Sequence, residues 1–365
     1  MAQLARSRLQ LNGKFLAAAP TGVHRVAEEL GNALADLIAE GHPAAQGLAL
    51  EVLAPADGLT RAAAMRMPAR LLGPLVHMPW EQLTLPLRHG RGLLLNLCNI
   101  GPMLSRNSVT MIHDVQVLLS PESYRPAFRA WYRLVQPIIA RRHRLILTVS
   151  EYSRQQIVHA GLARSEKVAV IHNGVDHVLT VAAEPAIVAR LALTPGRYVV
   201  GLANTQVHKN IGVLLRAFAD SALAGLTLVL FGSADRAAFE AAGHAVPDNV
   251  VFAGRISDGE LRALLEVALC LAFPSTTEGF GLPPLEAMLL GCPAIIAPCG
   301  ALPEVCGEAA LRAAADSPPD WAKAIMLLAA DDEGRARTVA AGRAHAAAYT
   351  WRDAAIVLAT RLSQL

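Results

Sequence analysis

The sequence predicts an α/β protein built from two successive parallel-sheet domains, and three observations carry that prediction. At 365 residues the chain exceeds what one hydrophobic core usually organises and suits two. Short apolar runs alternate with stretches whose apolar residues recur at helical spacing, the rhythm of strands joined by crossover helices. That rhythm stops and restarts once, around residues 180–196, where Pro185 and Pro195 suggest a linker.

The first domain opens with a strand near residues 9–11 and a glycine turn at Thr21-Gly22. A helix follows, with Val26, Leu30, Leu34, Leu37 and Ile38 on one face. Further strands are expected at 48–53, 93–97, 109–112, 145–149 and 168–171. The Asn173-Gly174-Val175-Asp176 turn leads to a boundary placed between 178 and 179. The second domain, 179–349, repeats the pattern with strands near 198–200, 226–231, 250–253, 270–273 and 294–297. A last helical stretch covers 351–365.

Composition narrows the class. Hydrophobic content of 53% is inflated by alanine and aromatics are only 5%, which reads as helix-rich and soluble. No run approaches the roughly 18 apolar residues of a membrane span. Arg6, Arg8 and Lys14 precede an apolar stretch too short and broken for a signal peptide. Cys98, Cys270, Cys292, Cys299 and Cys306 contain no C-x2-C pair and are odd in number, so a reducing cytoplasm and no metal site are expected. Residues 1–180 hold 19 Lys and Arg against 12 Asp and Glu, leaving 14 against 18 for the rest. Much of that basic excess lies at Arg125, Arg129, Arg133, Arg141, Arg142 and Arg144, among Phe128, Trp131 and Tyr132. Such a helix suits anionic lipid headgroups or an acceptor diphosphate; the rival is a plain solvated face. A net charge of +3 and no recognition motif argue against nucleic acid.

The segment from Pro274 to Glu286, PSTTEGFGLPPLE, joins a strand end, two glycines, a proline-opened helix and two carboxylates. Gly279 and Gly281 permit close backbone approach, and Pro283 or Pro284 fits the first helical position. The helix N-terminus would face the carboxyl edge of a sheet, where phosphates are stabilised. Glu278 in the loop and Glu286 in the first helical turn suit sugar hydroxyls, which donate hydrogen bonds. The E-x7-E spacing inside PS-x3-EGFGLP-x2-E resembles the signature of family 4 retaining glycosyltransferases of the GT-B fold. The resemblance implies two Rossmann-like domains facing across a cleft, with the C-terminal helix, 350–365, crossing back to the first. It also implies that Glu278 meets the donor sugar and Glu286 the nucleotide ribose, with Gly279, Phe280, Gly281 and Leu282 lining the donor.

Other residues extend the likeness. Lys209, one of four lysines, follows a strand and precedes a helix with Ile211, Leu214, Leu215 and Phe218 on one face. Val207-His208-Lys209-Asn210 is similar to the family element whose lysine binds the donor diphosphate. The family often has an arginine six residues earlier, where this chain has Ala203; His208, Arg25 and Arg255 are the candidates to replace it. Gly22 resembles the family's N-terminal glycine loop. His113-Asp114 occupies the place of a histidine near the donor sugar, its rival being a locally bonded histidine with Asp114 as a cap. Arg255 and Ile256 match the loop around the nucleobase.

The resemblance therefore implies a retaining hexosyltransferase, with mannose from GDP-mannose as the first expectation. Lys209, Glu278 and His113 form the catalytic set, and Asp114 and Arg25 lie on the acceptor side. No metal or cofactor is expected, because cations and helix dipoles carry the leaving-group charge. The acceptor would be a saccharide or lipid-linked saccharide met at the inner face of a membrane. Two rivals stay open: a different enzyme on the same scaffold, such as an epimerase or phosphorylase, and a non-catalytic assembly partner, suggested by Ala203.

Overall fold

The computed structural model describes residues 7–365. It forms two compact units, the first running to Gly174 and regaining Thr350–Leu365, the second being Val175–Tyr349.

In the first unit the strands are β1 (Ser7–Asn12), β2 (Leu48–Ala54), β3 (Ala69–Leu71), β4 (Leu93–Asn96), β5 (Ser108–Met111), β6 (Leu145–Thr148) and β7 (Val168–Val170). All pair in parallel, in the order β3-β2-β1-β4-β5-β6-β7. Strands β4 (LLLN) and β6 (LILT) are almost wholly apolar, as expected where helices cover both faces of a parallel sheet, whereas β1 (SRLQLN) carries the buried polar Gln10 and Asn12. Leu9 pairs with Leu50 on one side and Leu93 on the other. The helix Gly22–Ala39 is capped by Thr21 and buries Val26, Ala27, Leu30, Leu34 and Leu37. It packs against the helix Trp351–Ser363, whose Ala354, Ala355, Leu358 and Ala359 are buried. Each large side chain on these faces contributes about 2 kcal/mol.

The second unit contains β8 (Tyr198–Ala203), β9 (Thr227–Gly232), β10 (Val250–Gly254), β11 (Cys270–Phe273), β12 (Ala294–Ile296) and β13 (Leu311–Arg312). Their order is β10-β9-β8-β11-β12-β13, again parallel throughout. Both sheets reverse direction once, at β1/β4 and at β8/β11, and such switch points open a crevice at the carboxyl ends.

Two expectations need correcting. The units divide after Gly174 rather than 178, because Asp176–Leu179 forms a 3-10 turn within the second unit. Residues 180–196 are also more than a linker. Ala186–Arg190 is helical, Ile187 is buried, Arg190 pairs with Glu260 at 2.7 Å, and Arg262 donates to the carbonyls of Val178, Leu179 and Val181. Among the described residues, no helix is long and apolar enough to cross a membrane.

A polar chain runs through the first unit at its switch point. Lys14 Nζ lies 2.6 Å from Glu81 Oε2, and Asn12 Nδ2 donates to Glu81 Oε1 and to Asn96 Oδ1. Asn96 Nδ2 in turn donates to Thr110 Oγ1, which lies 2.7 Å from His143 Nδ1. His143 Nε2 donates to the Pro102 carbonyl, so Nδ1 accepts from Thr110 and the neutral imidazole is satisfied at both nitrogens. Glu81 is almost fully buried, and a buried carboxylate stripped of its cation is costly. Lys14→Met should cost about 3 kcal/mol in urea denaturation, and adding Glu81→Gln should recover most of it. An additive double mutant would show that the pair is not coupled.

Candidate functional site

At the carboxyl ends of β8 and β11, three loops are tied together before any ligand is considered. The turn Val207–Lys209 ends on Asn210, whose φ of 53° is left-handed, a conformation asparagine tolerates better than most residues. Asn210 Nδ2 donates to the carbonyls of Pro274 at 3.2 Å and Ala315 at 2.7 Å. The amide of Thr276 donates to the His208 carbonyl at 2.8 Å. Lys209 Nζ then lies 2.7 Å from Glu278 Oε1, with side chains 17% and 11% exposed.

Behind Glu278, a third loop closes in. Ala301 N–H donates to the Glu278 carbonyl at 3.0 Å. Gly300 has φ of 62°, and a Cβ there would stand 2.6 Å from the Glu278 amide nitrogen. Only glycine meets both conditions. Gly279, Phe280 and Gly281 are buried, and Phe280 sets its ring edge-on to Tyr349 at 6.0 Å.

The helix Leu282–Leu290 begins here, with Gly281 as its cap. Leu282 is the first helical residue and Pro283 the second, one position later than expected. Pro283 and Pro284 carry no N–H, so this terminus offers fewer donors than an ordinary helix start. Glu286 is the fifth helical residue, just beyond the first turn rather than within it. Its carboxylate is 3.3 Å from His177 Nε2, and both side chains are largely buried. His208 is buried, and Arg255 is exposed on the loop after β10, at the sheet edge, with Ile256 half-buried beside it. Ala203 is also buried, in the apolar core of this unit.

In the first unit, Gly22 is the exposed first residue of its helix and Arg25 is half-buried on the same turn. His113 is buried: its backbone amide donates to Asn99 Oδ1 and its ring Nε2–H to the Leu97 carbonyl, both at 2.8 Å. Burial lowers its pKa to about 4 against the opposing pull of the Leu97 carbonyl. At neutral pH it is an uncharged acceptor through Nδ1, and its one N–H proton is already committed. Asp114 Oδ1 accepts from the Gln116 amide, the local capping contact.

Asn210, Gly300 and His177 are the contributors that the sequence did not single out as site residues. Asn210 stands in the quoted Val207–Asn210 element without a role, while Gly300 and His177 belong to loops with no motif of their own. Burial pushes the Cys292 and Cys306 thiols up to about 12, the reverse of what a thiolate ligand requires.

The chain is similar to known proteins along most of its length. A family model described as glycosyl transferases group 1 matches residues 188–345, and one described as glycosyltransferase family 4 matches residues 20–179. The O-antigen chain mannosyltransferase RfbU of Salmonella typhimurium is 26% identical over 256 residues, 68% of this chain and 69% of that protein. The O-antigen chain mannosyltransferase B of Escherichia coli is 27% identical over 265 residues, 69% of each. The crystal structure of Anabaena HepE in complex with UDP and glucose has a TM-score of 0.69 at 19% identity, covering 98% of this chain and 99% of that one.

The environment of His113 sets a pH dependence. Its folded pKa lies below the unfolded value near 6.5, so the unfolded state binds more protons as pH falls. Stability should fall as pH drops from about 6.5 to 4, by on the order of 3 kcal/mol from this residue, and level off below. Denaturation of His113→Asn should show a shallower loss over that window. An unchanged slope would contradict the assignment.

Proposed function

The chain belongs to the group 1 glycosyltransferases, with the GT-B fold, and we propose that it transfers a mannosyl residue from GDP-mannose to a saccharide acceptor with retention at the anomeric carbon. The observation that supports this most is the Lys209–Glu278 pair, held by Asn210 and Gly300 at the carboxyl ends of β8 and β11. Without a donor, the two charges satisfy each other. In the proposed complex the diphosphate takes Lys209, and a sugar hydroxyl donates to Glu278. Glu286, paired with His177, accepts from the ribose. As the bond from the anomeric carbon to phosphate oxygen breaks, negative charge grows on the leaving diphosphate. Lys209 then stabilises the transition state more than the ground state. The acceptor hydroxyl attacks from the same face and its proton passes to the departing phosphate oxygen. No metal step enters this scheme. The mannosyl preference rests on the two O-antigen relatives.

A basic, apolar face in the first unit supports a lipid-linked acceptor. The helix Pro126–Arg142 exposes Phe128 and Leu134 beside Arg125 and Arg133. We therefore place the working protein at the inner face of an anionic membrane. Arg125→Ser/Arg133→Ser should weaken sedimentation with phosphatidylglycerol vesicles at low salt by about tenfold, and the wild-type binding should itself weaken with salt. Binding that ignores both changes would remove the membrane reading.

The donor assignment is tested by thermal shift with GDP, UDP, ADP, dTDP and CDP and their sugars. Stabilisation by GDP and GDP-mannose, lost in Lys209→Ala, is expected. A preference for UDP would redirect the donor. Nucleotide binding without turnover on any saccharide would favour the non-catalytic partner suggested by Ala203.

A further inference from the structure

Glu286 is a largely buried carboxylate with few donors within its own helix. Its side chain is 12% exposed, and as the fifth residue of Leu282–Leu290 it stands past the first turn, where the free amides are. Pro283 and Pro284 remove two of those donors in any case. No lysine or arginine pairs with Glu286 among the described residues. Its one ion-pair partner there is His177, whose side chain is 6% exposed and whose Nε2 lies 3.3 Å from Glu286 Oε1. An ionised carboxylate can only accept, so the ring nitrogen that faces it carries the proton.

His177 is in turn fixed through its backbone. It lies in the 3-10 turn Asp176–Leu179, and the residue before that turn, Val175, donates its amide to the Tyr349 carbonyl at 2.9 Å. The His177 carbonyl accepts from both the amide and the hydroxyl of Thr180, at 3.1 and 2.8 Å. Further on, one guanidinium nitrogen of Arg262 reaches the carbonyls of Val178, Leu179 and Val181, while Arg262 Nε is held on Glu266 at 2.7 Å. Both of these residues belong to the helix Asp258–Glu266. A turn fastened at so many points gives the imidazole little freedom, and the imidazole limits how the Glu286 carboxylate can rotate. A chain of contacts therefore runs from Arg262 through the turn and His177 to Glu286.

We infer that His177 is a positioning residue for the nucleotide ribose: it holds Oε1 of Glu286, leaves the carboxylate set to accept from a ribose hydroxyl, and so fixes how sharply the site tells a ribonucleotide from its deoxy analogue. A site built to accept from a hydroxyl loses affinity when that hydroxyl is missing, because a buried polar group is left unmatched. The loss is large only where the acceptor cannot turn to another partner, and that restraint is what His177 and its fastened turn provide. Without the imidazole the carboxylate is free to rotate, and the ribose hydroxyl gains less from meeting it. The inference rests on the transferase reading for the place of the ribose at Glu286, and it holds for any base or sugar that the donor carries.

The experiment is calorimetric titration of the full chain with GDP, 2′-deoxy-GDP and 3′-deoxy-GDP, and with the same three forms of UDP, on the wild type, His177→Leu, His177→Gln and Arg262→Gln. The wild type should bind one ribonucleotide and lose affinity for at least one of its deoxy forms. His177→Leu should bind that ribonucleotide about tenfold more weakly, yet bind the discriminated deoxy form within about twofold of the wild type. That retained binding also shows that the variant folds. His177→Gln, whose side-chain amide offers an N–H to the same oxygen, should recover most of the loss. Arg262→Gln, which acts through the turn, should show the same selective loss at about threefold, and it decides the matter by the same comparison if His177→Leu does not fold. A loss in His177→Leu of equal size for all three forms would mean a purely structural role and overturn the inference, as would a ribonucleotide affinity equal to that of the wild type. A wild type that binds ribonucleotides and deoxynucleotides alike would also overturn it, while leaving the donor site standing. Absent binding of every nucleotide by the wild type would overturn the donor reading, and this role of His177 with it.

Discussion

The site at the carboxyl ends of β8 and β11 depends on one ion pair. Lys209 and Glu278 come from loops far apart in sequence, yet Lys209 Nζ and Glu278 Oε1 stand 2.7 Å apart. Neither loop could hold that position alone. Asn210, next to the lysine, fastens its turn to the carbonyls of Pro274 and Ala315. Gly300 lets a third loop lie against the backbone of Glu278 itself. Positioning is therefore borne by backbone and amide hydrogen bonds, and the two charged side chains meet each other at the sheet edge. Such preorganisation is what makes an electrostatic site effective, since little reorganisation is needed when charge develops.

The two units apply the same topology to different chemistry. Each sheet reverses direction between its first strand and the next one out, so each has a crevice at its carboxyl edge. In the second unit that edge carries a cation, two carboxylates and a helix start. In the first, the corresponding edge carries a buried polar chain from Lys14 through Asn12 and Asn96 to His143, beside aromatic side chains of one helix. His113 and His143, each with pKa lowered to about 4 chiefly by burial, are neutral members of an interior whose one charged element described above is the Lys14–Glu81 pair.

Much of this was legible in the sequence. Strands such as Leu48–Ala54, apolar but for Glu51, and Cys270–Phe273 announce themselves because parallel sheets are buried on both faces, which favours apolar runs. Ala69–Leu71 and Leu311–Arg312 are short edge strands without such a run, and no pattern marks them. Glu278 and Lys209 could be found because a local motif surrounds each. Gly300 and His177 could not, since their importance lies in what they meet across the fold. The environment of His113 is likewise a long-range fact: the Leu97 carbonyl that takes its proton is on another strand connection. Pro283 and Pro284 marked a helix start correctly but not its register, and the carboxylate of Glu286 consequently meets His177 from beyond the first turn.

A Lys209 that acts on the leaving diphosphate as its charge develops is tested most directly by the kinetics of Lys209→Ala with the donor that the protein uses. Its kcat should fall by about a hundredfold or more, over and above the rise in KM that the loss of diphosphate binding brings, the mark of an interaction strengthened in the transition state. A raised KM with kcat unchanged would mean that Lys209 merely binds the donor and contradict a role for it in the transition state.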